Sequence, residues 1–238
     1  MNEARTDPLE ALAGLLRRGT PRRFDPARPV DDGLLRRVLA VASLTPSEFD
    51  LQPARFVVVR EPAERRALRP IAFGNPLPGD AAAVVVVLGY LHPHRTDLDA
   101  IVAAARGEGA MTAAREAELR GRVATALGHR GEAELAARAG RAGSMAAAAL
   151  LLAARAAGLA AAYVDNLDRP ALRSRLGIPA DHAVCGIVAI GHAAAIEPFA
   201  GRLPLAEVCF DGHFGRPWND AASRAGVPDG SAPSAGLR

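Results

Sequence analysis

The stretch Ala82-Ala83-Val84-Val85-Val86-Val87-Leu88-Gly89-Tyr90 is apolar without interruption. Its β-branched residues favour a strand, and the lack of alternation means that neither face meets water. Both faces must therefore be covered by other elements. Three further segments read as strands: Phe56 to Arg60, Ala160 to Val164 and Val184 to Ile190. Helical segments lie between them without regular alternation, which favours an α+β arrangement over a doubly wound sheet.

Asp7 is placed to cap a first helix, with Pro8 at its first position and Glu10 at N3. Leu9, Leu12, Leu15 and Leu16 form one face of it, and Gly19 and Pro21 stop it. A second helix is expected from about Asp31 to Leu44, turning Leu34, Leu35, Val38, Leu39 and Val41 inward, and breaking before Pro46. Glu61-Pro62 opens a short helix. Residues 92–140 are rich in Ala, Arg and Glu and broken by glycines, and read as one or two exposed helices over the body. Ser144 to Ala157 is apolar on nearly all sides and belongs in the centre. Asp168 to Leu176 is a capped helix stopped by Gly177. The Ala/Ser/Gly/Pro-rich tail reads as disordered, which leaves residues 1–220 as one domain and 221–238 as a tail.

A chain of 238 residues can bury enough surface to need neither disulfide nor metal. The net charge of +3 is too small to imply a nucleic-acid partner. Every basic residue is Arg, a compositional bias rather than a binding signal, and 4% aromatics is too few for a base-stacking surface. Cys185 and Cys209 lie in apolar segments without CxxC spacing and read as reduced core residues of a cytoplasmic protein. The N-terminus has early acids and no apolar h-region, so no signal peptide is expected. Met145 to Val164 is long enough to span a membrane, but Arg155 and Gly158 interrupt it and a buried helix fits better. His92-Pro93-His94 lacks a third ligand for a metal. There is no GxGxxG, Walker loop or nucleophile elbow. An enzyme so equipped borrows its chemistry from a cofactor.

Three segments support that reading. Arg18-Gly19-Thr20-Pro21-Arg22-Arg23-Phe24 puts three guanidiniums and a hydroxyl just past a helix end, suited to phosphate. Taken alone, it is more simply a solvated basic turn. Thr45 to Pro53 offers Ser47, Asp50 and Gln52 from a loop fixed by Pro46 and Pro53, a usual way to hold a planar ligand. Gly201-Arg202-Leu203-Pro204-Leu205 adds a later cation.

In order and spacing these segments resemble the nitroreductase family of FMN-dependent oxidoreductases. Ala72-Phe73-Gly74-Asn75-Pro76 before the apolar strand, Gly158-Leu159, Leu176-Gly177-Ile178-Pro179, Gly191-His192 and Phe214 to Trp218 extend the likeness over about residues 9 to 218. The resemblance implies a central, mostly antiparallel sheet surrounded by helices, in an intertwined homodimer with FMN between the subunits. It places Arg18, Thr20 and Arg202 on the FMN phosphate. It places Arg22 near the pyrimidine edge, where positive charge stabilises the reduced flavin. Pro46, Ser47, Asp50 and Gln52 would approach from the partner subunit, and Asn75 would face the ring's polar edge. The backbone of Val164-Asp165-Asn166 would face N5 and O4. Asp50 stands where the family has Asn, exchanging an amide donor for a carboxylate. Gly19 stands where a basic or polar residue is common.

The implied activity is ping-pong: NAD(P)H reduces FMN, and a small electron-poor acceptor such as a nitroaromatic or quinone is then reduced. Neither a nucleic acid nor a membrane is an expected partner. The alternatives are a specialised FMN-dependent biosynthetic dehydrogenase or oxidase of the same fold, and a non-catalytic flavin-binding relative.

Overall fold

The computed structural model describes residues 7–218. These fall into two compact units, one ending at Phe199 and one beginning at Ala200. The tail expected to be disordered from Ala221 lies outside the described residues.

The first unit begins with α1 (Pro8–Arg17), whose first turn is capped by the Asp7 carboxylate at 2.9 Å from the Leu9 N–H. It continues through β1 (Pro21–Phe24), α2 (Asp32–Ser43), a single 3₁₀ turn (Glu48–Asp50), β2 (Ala54–Val59), α3 (Pro62–Ile71), α4 (Leu77–Asp80) and β3 (Ala83–Tyr90). Then come α5 (Pro93–Thr96), α6 (Leu98–Gly107), α7 (Ala113–Leu127), the long α8 (Glu132–Ala156), β4 (Ala160–Val164), α9 (Arg169–Leu176), β5 (His182–Gly191) and β6 (Ala193–Ile196).

The main sheet has the order β2-β3-β5-β4, and every pairing is antiparallel. As its composition requires, β3 is covered on both faces: Val84 to Val87 are fully buried. Val84, Val86 and Leu88 pack with Leu68 and Ile71 of α3 and Leu172 of α9. Ala83, Val85 and Val87 pack with Leu35 and Val38 of α2 and Ala146, Leu150 and Ala154 of α8. Alternation along the strand thus feeds two separate apolar layers.

The structure corrects several expectations. The central helix begins at Glu132, not Ser144. Gly140 and Gly143 lie inside it, and Gly143 is needed there: a Cβ would sit 2.3 Å from the Cys185 Sγ. Its absence lets α8 rest directly on β5. Residues 92–140 are more than an exposed cover, because Leu98, Ile101, Val102, Val123, Leu127 and Leu135 bury one another together with Leu51. Val41, expected inward on α2, is 54% exposed, and no residue of α1 is buried. Cys209 is only partly covered. The two-stranded sheet of β1 and β6 had no sequence signal, since β1 is Pro-Arg-Arg-Phe and β6 is mostly alanine.

The second unit, described from Ala200 to Trp218, contains α10 (Leu205–Val208) and a bridge between Phe210 and Pro217. Among the described residues no helix is long and apolar enough to cross a membrane.

Candidate functional site

The loop from Pro46 to Pro53 joins α2 to β2 and carries unusual backbone. Phe49, Asp50 and Gln52 have φ of 55°, 52° and 48°. Left-handed geometry at non-glycine residues costs on the order of 1–3 kcal/mol each and needs support from its surroundings. The Ser47 Oγ accepts the Gln52 N–H at 2.8 Å, and Arg55 donates to the Gln52 carbonyl at 2.8 Å. The Gln52 amide donates to the Asp50 carboxylate at 3.4 Å, and Tyr90 donates its N–H to the Pro53 carbonyl at 2.8 Å. Leu51 is buried in the third core cluster. From the helical insertion, Arg138 pairs with Glu48, and the Arg122 guanidinium lies 5.4 Å from the Phe49 ring centre.

Beneath the loop is a cavity of about 60 Å³ lined by Ser47, Glu48, Tyr90, His94 and Arg138, among others. Both ring nitrogens of His94 are buried without a hydrogen-bond partner. Burial, and then the charge of Arg95, lowers its pKa, so its neutral form is favoured.

The amino-terminal segment builds a different kind of site. Gly19 passes so close to β6 that a Cβ would lie 1.6 Å from the Glu197 carbonyl oxygen, which explains glycine here. The Glu197 N–H donates to the Thr20 carbonyl at 2.8 Å, and the Glu197 carboxylate pairs with Arg22. Arg18 donates to the Arg155 carbonyl at 2.6 Å, while Arg155 donates to the Leu15 carbonyl at 3.1 Å. Each arginine thus caps the last turn of the helix that carries the other. Burial, and secondarily the Arg18 charge, lowers the pKa of Arg155. An open cleft of about 480 Å³ lies here, lined by Arg18, Gly19, Arg28, Arg155, His192 and Ile196, together with Ala160 and Ala161 of β4 and the turn before it.

At the end of β4, the Asp165 carboxylate accepts from Arg169 at 2.6 Å, and the Tyr163 hydroxyl donates to the Cys185 carbonyl. Asn166 is exposed. The Asn75 Oδ1 accepts the Leu77 N–H at 3.0 Å and so starts α4. Arg202 belongs to the second unit. Among the described residues, no hydrogen bond or ion pair joins Arg18, Gly19, Thr20 or Arg22 to the 46–52 loop or to residues 165–166. No group of three or more His, Cys, Asp or Glu among them is arranged to hold a metal ion. Sequence reasoning missed Arg28, Arg122 and Arg138, which nothing distinguishes among so many arginines. Arg155 did carry a signal, as a lone charge in an Ala/Leu helix.

The sequence model of the nitroreductase family matches residues 15–192. A Thermus thermophilus protein named NADH dehydrogenase is 35% identical over 208 residues, covering 87% of this chain and 98% of its own length. A Bacillus subtilis protein named for NAD(P)H nitroreductase activity, YodC, is 25% identical over 205 residues, 85% of this chain and 98% of its own. A solved structure of a nitroreductase-type protein from Exiguobacterium sibiricum in complex with FMN superposes with a TM-score of 0.77 at 20% identity, over 88% of this chain and 99% of that one. The antiparallel sheet between two helical layers, the motif order and these matches agree: the chain belongs to the nitroreductase family.

Proposed function

We infer that this chain is an FMN-dependent oxidoreductase that takes electrons from NAD(P)H and passes them to a small electron-poor acceptor such as a nitroaromatic or a quinone. The observation that carries this reading is the cleft beside α1. Three guanidiniums line it without a carboxylate among the lining residues, which fits a phosphorylated cofactor. The FMN in the Exiguobacterium structure and the nicotinamide named for both curated relatives support the same reading.

When bound, FMN supplies the two-electron chemistry between nicotinamide and acceptor. The chain's residues bind and orient. Arg18 and Thr20 would hold the phosphate. Arg22, steadied by Glu197, would stand at the pyrimidine edge. The rigid 46–53 loop would present Ser47, Asp50 and Gln52 from the partner subunit, and the backbone at residues 164–166 would donate to the ring's polar edge. Residues 1–220 would then act as one FMN-binding domain.

A homodimer accounts for the apolar surface left open in one chain. Leu9, Leu12 and Leu16 of α1, Val41 of α2 and Met145 of α8 are 42–69% exposed, and in the second unit Leu203, Phe214 and Trp218 are 57–93% exposed. Apolar side chains that gather into one large patch mark an association surface.

The test is the absorbance spectrum of the purified chain, before and after NADH or NADPH without oxygen. A yellow protein bleached by either nucleotide is expected. Colourless protein that takes up no FMN overturns the reading. Yellow protein indifferent to both nucleotides points instead to a biosynthetic dehydrogenase or oxidase of the same fold.

A further inference from the structure

The helices of residues 92–140 meet the 46–53 loop across the small cavity that holds His94. Ser47, Glu48, Leu51 and Pro53 of the loop form one wall, and Leu127 of α7 and Arg138 of α8 face them. Both His94 ring nitrogens, and the Nδ1 of neighbouring His92, are buried without a hydrogen-bond partner. The charges that act on His94 are mostly positive: Arg95 and His92 from its own segment and Arg138 from α8, against Glu132 alone. Glu132 lies 3.2 Å from the His92 Nε2 and is paired with that ring. The carboxylate lining the cavity is that of Glu48, which is committed to Arg138. Around Tyr90, which also lines the cavity, each charge has its own counterion. His182 stacks on Tyr90 at 4.8 Å and has Asp181 at 2.7 Å from its Nδ1, and Arg55 pairs with Asp97. A charged imidazole at position 94 therefore meets apolar surface and like charge.

The loop is the wall that can yield. β3 and α8 are anchored in the core, whereas Phe49, Asp50 and Gln52 hold left-handed backbone whose strain is relieved on opening. The loop is tied down by buried Leu51, by the Glu48–Arg138 pair and by Arg122 beside Phe49.

We propose that His94 is the proton-sensitive pin of a latch: neutral, it lets the 46–53 loop close against α8, and protonated, it drives the loop open. An imidazolium has two N–H donors and no acceptor. It competes with Arg138 for Glu48 and so weakens the ion pair that ties the loop to α8. Opening to water also removes the burial that lowers the His94 pKa, returning it toward about 6.5. Acid therefore favours the open loop, by up to about tenfold per pH unit between the ordinary pKa and the lowered one. The latch is a property of the chain with or without ligand. Its consequence rests on the flavin reading: the loop carries Ser47, Asp50 and Gln52, so FMN would be held at neutral pH and released in acid.

The experiment measures amide hydrogen exchange in the full chain, wild type and His94→Gln, from about pH 7.5 to about pH 5, corrected for intrinsic exchange at each pH. The reporters are the Gln52 N–H, held by Ser47, and the Tyr90 N–H, held by the Pro53 carbonyl. In wild type their protection should fall with acid while the amides of Val84 to Val87 keep theirs, and in His94→Gln the loop protection should not follow pH. Loop protection that falls equally in both proteins, or only together with the central strand, overturns the latch. If His94→Gln does not fold, NMR of the wild-type ring decides. Loop protection that levels off at the His94 titration midpoint supports the latch, and levelling off elsewhere overturns it. FMN affinity is read by flavin fluorescence as the ratio of wild type to His94→Gln, which cancels the titration of the FMN phosphate. The ratio should fall from neutral pH to acid. Wild type that binds no FMN at either pH, with loop protection still following His94, leaves the latch standing and removes the flavin reading. Tight FMN binding with a constant ratio and pH-independent loop protection overturns the latch and leaves the flavin reading intact.

Discussion

The loop from Pro46 to Pro53 and the cleft beside α1 are both built where a helix ends, yet they are stabilised in opposite ways. In the loop the backbone is strained and the side chains are satisfied. Leu51 is buried, Ser47 and Arg55 brace Gln52, and Glu48 meets Arg138. In the cleft the side chains carry unbalanced charge: Arg18 and Arg155 reach only main-chain carbonyls. A loop held by its own contacts is ordered before any ligand arrives, which lowers the entropy cost of binding. A cleft of uncompensated cations gains its stabilisation from the ligand. The two regions thus differ in where their order comes from: the loop from its own contacts, the arginine-lined cleft from main-chain carbonyls alone.

The comparison breaks most severely at Leu51. Leu51→Ala should lower stability by about 2–5 kcal/mol, as for other buried leucines, and should weaken flavin binding by loosening the loop. Chemical denaturation with unchanged stability would show that the loop is not anchored through this residue. On the cleft side, the gain should come from the ligand. FMN at one hundred times its Kd should stabilise the folded chain by about 2.7 kcal/mol. Riboflavin at the same concentration should raise the thermal midpoint less, and equal shifts would remove the phosphate from the account.

A smaller effect sharpens the loop side. Asp50 accepts only the neutral Gln52 amide, and no arginine pairs with it among the described residues. Its carboxylate should disfavour added charge on a neighbouring reduced flavin. Asp50→Asn should therefore raise the flavin midpoint potential in an anaerobic titration near neutral pH. An equal or lower potential would place Asp50 away from the ring.

The smallest expected effect is the pH response of the cavity under the loop. His94 has a lowered pKa in the folded chain, so below about pH 6.5 the unfolded chain binds the extra proton. Stability then rises with pH through that window, and the contribution of neutral His94 is complete above it and lost on acidification. His94→Gln should flatten the acid side of the stability profile. An unaltered slope between the variant and the wild type would show that His94 titrates alike in both states.

The elements that depend on neighbouring residues were legible in the chain itself. The unbroken valines of β3 dictated a doubly covered strand, Asp7 and Asp168 marked helix starts that their carboxylates indeed cap, and Gly177 ended α9 in the left-handed conformation. The order of the motifs along the chain was enough to name the family, because it needs no knowledge of where the segments meet. What required the tertiary structure was proximity between distant residues. The pairing of β1 with β6 joins two stretches with little strand propensity of their own, and its hydrogen bonds exist only once the main sheet has brought both together. The first half of α8 looks broken by glycines until Gly143 is seen against Cys185. Arg18 and Arg155 stand 137 positions apart, and each looked like a solvated or intrusive charge alone. Local propensity and periodicity act over a few residues and can be read from them, whereas a cleft is a sum of charges that only packing brings within a few ångströms.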